Sequence, residues 1–182
     1  MANLSFGIGG SSTFDYARLG QVFVAQAIIT TPTIWSTAAA TGGPFLWNNN
    51  PACTIAILGV SAAATTAETT AAIALGLTGG VQTVGLGANT ALTSSANLFI
   101  GGPAPTATMY ATATPSAAGK FFFPTHTGGT GALTTVGVSP AWVAIEGAVV
   151  VPYQSWVSVT SSGASTAAVL QIGLMWVEII KR

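Results

Sequence analysis

The chain has 182 residues, a formal net charge of zero and only 4% charged residues, where ordinary soluble domains carry roughly 25%. Half of its residues are apolar, and the polar remainder is dominated by Thr, Ser and Gly, which form hydrogen bonds without charge. With no basic cluster beyond Lys181-Arg182 and no run of about 20 apolar residues, the sequence excludes phosphate-directed nucleic-acid binding and a membrane-spanning helix.

Taken in chain order, residues 1–20 read as an extended N-terminal arm, rich in Gly and Ser and punctuated by Phe6, Ile8, Phe14 and Tyr16. These four apolar side chains are the assembly or anchoring candidates, because they gain nothing in free solvent. The N-terminus has no basic stretch followed by a long apolar core, so a secretion signal is not expected. Residues 21–182 are expected to form one domain. Its first strand spans Gln21 to Thr30, rich in β-branched and aromatic residues and ended by Thr31-Pro32. A short strand at Phe45–Trp47 leads into the turn Asn48-Asn49-Asn50-Pro51, because Asn tolerates turn angles and Pro fixes its own. Thr54–Ala62 forms the next strand. The Ala/Thr-rich segment 62–72 is read as a loop rather than a helix, since Thr density disfavours the helix, and a strand Ile73–Thr78 follows it.

Gly79-Gly80 is read as a tight turn before a strand Val81–Leu86, and Asn89–Asn97 as loop. Ala107–Thr114 alternates as a half-exposed strand does, and Thr125–Gly131 reads as a flexible Gly-rich loop. Four further blocks, Trp142–Ile145, Ala148–Val151, Trp156–Thr160 and Ala168–Ile180, complete the pattern. Roughly eight to ten strands joined by Gly/Pro/Asn turns, with no helical period, indicate an all-β sandwich or barrel. A transmembrane barrel also alternates, but it would need an export signal and a charged lumen, so no membrane contact is expected.

The chemistry-bearing residues are few and scattered. His126 lies alone in a loop context without a second metal ligand nearby, and no Gly-x-Ser-x-Gly elbow or phosphate-binding Gly-Lys-Ser/Thr triplet occurs. Cys53 is the single cysteine and reads as a small buried hydrophobe. Catalytic, cofactor and metal residues are therefore all expected to be absent, and the chain is not expected to be an enzyme. Of the five tryptophans, Trp47, Trp156 and Trp176 fall in or beside strands and are assigned to a core or interface. Trp35 and Trp142 are the candidate exposed contacts. A glycan partner through that pair is kept but not favoured.

Two stretches carry a resemblance. The first is Phe45-Leu46-Trp47-Asn48-Asn49-Asn50-Pro51 with the strand Thr54–Val60. The second is Val149-Val150-Val151-Pro152-Tyr153 with a closing strand ending Trp176-Val177-Glu178-Ile179. Together they resemble trimeric jelly-roll structural proteins of tailed-bacteriophage particles, of the head-decoration, head-fibre and spike type, with extra Asn residues in the first turn. The resemblance implies a jelly-roll-like antiparallel β-sandwich, a homotrimer, and a major capsid or other virion protein as partner at the capsid surface. The alternative on composition is an extracellular filament subunit assembled by strand donation. Low charge suits both, because a neutral surface repels its neighbours weakly.

Overall fold

A computed structural model describes residues 16–17, 19–30, 34, 41–66, 74–82, 90–91, 96–115, 117–126, 141–164 and 168–180. They contain β1 (Val22–Thr30), β2 (Thr41–Asn48), β3 (Cys53–Thr66), β4 (Leu75–Val81), β5 (Thr90–Ala91) and β6 (Ala96–Asn97). Then come β7 (Thr108–Ala113), β8 (Phe123–His126), β9 (Ala141–Ala144), β10 (Val150–Val151), β11 (Ser155–Ser161) and β12 (Val169–Ile180).

The strands form two sheets. The first runs β10-β3-β12-β1-β6, with β9 also paired to β3, and the second runs β5-β7-β2-β11-β4-β8. The antiparallel pairs β1–β12, β2–β11, β3–β10 and β4–β8 nest like successive rungs of one long hairpin. Alternate rungs fall in opposite sheets, so the hairpin is rolled. This connectivity is a jelly roll, and β5–β7 are an insertion at its tip that returns to pair with β1 and β2.

Alternation explains the layers. In β1 every second residue from Phe23 to Ile29 points inward, while Gln26, Ile28 and Thr30 face out. Inward residues of both sheets merge in one core that includes Phe23, Leu46, Ile55, Ile57, Leu77, Met109, Val159, Ile172 and Trp176. Phe23 and Trp176, opposite each other on β1 and β12, stack with ring centroids 5.9 Å apart. Cys53 is fully buried in the same core.

Several strands differ from their expected bounds. β3 continues through Ala62–Thr66, because inward Ala62 and Ala64 lie opposite β12 and supply a small, flat surface for it. The expected turn at Gly79-Gly80 is absent, and β4 runs straight through both glycines. They serve close approach instead: a Cβ on Gly79 would sit 2.5 Å from the Trp156 carbonyl oxygen, and one on Gly80 would crowd the Trp156 indole. Within Asn89–Asn97, Thr90–Ala91 and Ala96–Asn97 form short ladders rather than loop, and Thr125–His126 belong to β8, paired with β4. Residues 67–73, 83–89, 92–95 and 127–131, the other parts of these expectations, lie outside the described residues.

Candidate functional site

The stretches that carry the resemblance meet at one end of the sandwich. Asn48 closes β2 and is fully buried; its Nδ2 donates to the carbonyls of Cys53 (3.1 Å) and Val151 (3.0 Å), and its Oδ1 accepts from Asn50 N–H. One side chain thereby ties the Asn-Asn-Asn-Pro turn to the Val-Pro turn 103 residues away. Gln154 N–H donates to the Asn48 carbonyl, and Gln154 takes a positive φ of 58° to do so. At the same end of β12, the buried Glu178 carboxylate accepts from Thr106 N–H (3.0 Å), Thr106 Oγ1 (2.7 Å), Ala107 N–H (2.9 Å) and Trp176 Nε1 (3.4 Å). The Trp-x-Glu pair thus clamps the segment entering β7. Both side chains are buried and saturated by their own chain, so they are fold locks.

The outer face of the first sheet divides into two halves. In one, Tyr16 and Ala17, ahead of β1 in the chain, pack against Val22, Ala56 and Val177 with Leu58, Met175 and Ile179. Tyr16 is therefore engaged on its own chain. Phe6, Ile8 and Phe14 lie outside the described residues, as does Trp35. In the other half, Trp142 on β9, Ser61, Gly173 and Gln26 align across four strands. The Trp142 ring lies directly over Gly59, where a Cβ would fall 2.0 Å from Cζ2, and the side chain remains 48% exposed. This half is flat, uncharged and floored by small residues.

Sequence reasoning missed two further apolar surfaces. The β6–β7 connection carries Leu98, Phe99 and Ile100, the last 97% exposed, beside the exposed Leu19. Asn97 holds this knob in shape: Nδ2 donates to the Gly20 and Pro103 carbonyls, and Oδ1 accepts from Phe99 N–H. The signal in the sequence was Leu-Phe-Ile beside Gly-Gly-Pro, an apolar triplet where a loop should be polar. Near the opposite edge, a cleft of about 200 Å³ opens between Gly79–Val81, Lys120–Phe121, Val149–Pro152 and Ser155–Val157. Val81, Phe121 and Val150 stand exposed at its rim, with Tyr153 next to it.

On the outer face of the second sheet, Phe45 stacks on Trp156 at 4.9 Å and meets Tyr110 edge-on. Here Trp47 Nε1, Trp156 Nε1, Thr78 Oγ1, Ser158 Oγ and Thr160 Oγ1 are buried without a hydrogen-bond partner. They are neighbours: Trp156, Ser158 and Thr160 alternate along β11, with Trp47 and Thr78 opposite the first two.

Among the described residues no group of three or more His, Cys, Asp or Glu side chains could hold a metal ion, and no helix is long and apolar enough to cross a membrane. No protein-family model, no curated protein and no solved structure matches the chain.

Proposed function

We propose that the chain is a non-enzymatic structural subunit of a virus particle, a trimeric decoration or cement protein that stabilises the capsid surface. The observation that carries this reading is the pairing of an almost chargeless sequence with exposed Leu98, Phe99, Ile100, Val81, Val150 and Trp142 on a jelly-roll sandwich. Large exposed apolar groups on a neutral surface favour burial against another protein. Jelly rolls recur in viral shells, which is support from analogy of fold. Mass photometry at micromolar concentration tests the first step, with a single trimeric species expected; a stable monomer overturns it. Imaging of the native particle with this chain located on the shell tests the second.

A glycan contact is the second reading, favoured by the open Trp142 ring, since jelly rolls also build lectins. A glycan array with Trp142→Ala and Trp35→Ala checks it. No binding, or binding that both substitutions leave intact, removes it.

A further inference from the structure

We infer that the knob Leu98-Phe99-Ile100 of one copy inserts into the cleft beside Val150 of a second copy, and that this head-to-tail contact closes into a ring. The inference rests on the self-assembly proposed above and names the surfaces that perform it.

Height comes first. Leu98 N–H donates to the Val22 carbonyl, and Val22, Val177, Ala56 and Val150 lie opposite one another in successive strands. One straight row therefore links the knob to the cleft rim across the first sheet, over about four strand spacings or roughly 19 Å. Both surfaces sit at the same level on opposite edges. A rotation about an axis along the strands can bring one edge to the other without translation along that axis, and a heterologous contact of that kind closes where the rotation is a whole fraction of a turn. Surfaces at different levels would instead give a helical filament.

Area comes second. With about 150–200 Å² for each large apolar side chain, Leu19 and the knob expose roughly 450–500 Å² and the cleft rim with Tyr153 roughly 350 Å². Their sum, near 800 Å², approaches the apolar share (about 57%) of a standard interface of about 1,600 Å². The cleft volume of about 200 Å³ admits a large apolar side chain, and Ile100, next to the open turn at Gly101 with φ 83°, projects furthest. Charge does not oppose the fit: the knob has none, and Lys120 is the one ionic group lining the cleft.

The test uses the full chain with Ile100→Lys, Val150→Glu and both together, read by mass photometry and by thermal melting. Ile100→Lys sets a second cation against Lys120, and Val150→Glu forces a carboxylate of the rim to lose water beneath the apolar knob, a cost that Lys120 offsets only in part. Each single variant is expected to weaken association on the order of 100-fold or more, as loss of a central apolar anchor does, with the released subunit still melting in one cooperative step, lowered only by what the lost association contributed. The double variant is expected to regain the oligomer through the new Lys–Glu pair. A single variant that melts abnormally is replaced by Ile100→Ala or Val150→Ala, with the same weakening expected. A wild-type monomer sinks the proposed assembly itself. A wild-type oligomer that either single variant leaves intact, two dissociated singles without recovery in the double, or a ladder of masses growing with concentration overturns the knob-in-cleft ring alone.

Discussion

Buried polar groups are handled in opposite ways in two regions of this molecule. Where β2, β3, β10 and β12 come together, Asn48 uses donor and acceptor alike, and Glu178 accepts from four groups. On the outer face of the second sheet, five polar side-chain atoms are buried and engage none. The first region shows what polar burial contributes: beside local bonds to Cys53, Asn50 and Trp176, it joins segments far apart in sequence, 103 residues for Asn48–Val151 and 72 for Thr106–Glu178, and so selects one packing of turns on strands. The second shows polar burial as an uncompensated cost, about 1–3 kcal/mol for each orphaned group. Small polar side chains continue this face beside the Phe45–Trp156 stack, with Ser158 opposite both Phe45 and Thr78.

Removing a lock breaks this comparison most severely. Glu178→Ala strands the buried Ala107 N–H and Trp176 indole, together with the N–H and hydroxyl of the exposed Thr106, and is expected to cost about 3–5 kcal/mol. For a chain of this size that lowers the melting temperature by roughly 10 °C or more. Glu178→Gln keeps one acceptor oxygen and is expected to lose about half as much. Calorimetry of the three proteins orders them, and a Glu178→Ala melt equal to wild type means the carboxylate is not the clamp.

Asn48→Ala comes next, at about 2–3 kcal/mol, because two carbonyls and the Asn50 N–H lose their partner at once. Its signature is local. Hydrogen exchange should accelerate at Gln154 and Cys53, whose N–H groups bond within the two turns that Asn48 joins. Uniform acceleration along every strand would mean that the side chain fixes no particular turn.

How much of this the sequence disclosed varies with the range of the interaction. The jelly-roll strands were legible because alternation is local: β1, β7, β11 and β12 lie within a residue or two of their expected bounds. Glu178 was visible as an acid inside an apolar strand, and Asn48 as part of a turn. Their partners were not, because contacts 72 and 103 residues away leave no local pattern. Gly79-Gly80 misled for the same reason. A glycine pair signals a turn when only neighbours in sequence are considered, while these two make room for Trp156, which is 76 residues beyond Gly80. The knob escaped as well, since exposure of Leu98–Ile100 is a tertiary fact. The scarcity of charge, by contrast, follows from composition alone.

Trp156→Phe probes the second region with a smaller effect. It deletes an unpartnered indole N–H but also leaves a void beside Phe45. The two terms oppose each other, and the void is expected to win by about 1 kcal/mol. Near-ultraviolet circular dichroism should lose part of its signal while the melt shifts by only a few degrees. A loss as large as that of Asn48→Ala would place Trp156 among the locks.

The smallest expected change is also the one that sets the two regions apart by sign. Thr160→Val keeps the volume and branching of the side chain while removing a buried hydroxyl that has no partner, and Ser158→Ala removes another with a loss of one small atom. Thr-to-Val exchange usually harms a core because a hydroxyl loses its bond. Here no bond is lost, so the desolvation penalty is relieved and stability should rise by up to about 1 kcal/mol for each substitution. The residues lie two apart on β11, with Ser158 opposite Thr78 and Thr160 opposite Gly76 on the same face, so their effects need not add. Urea unfolding of the single and double variants reads the sign directly, through a higher midpoint at unchanged slope. A fall of 1 kcal/mol or more in either variant would mean that the hydroxyl is held by a hydrogen bond in solution, and the two regions would then obey one rule.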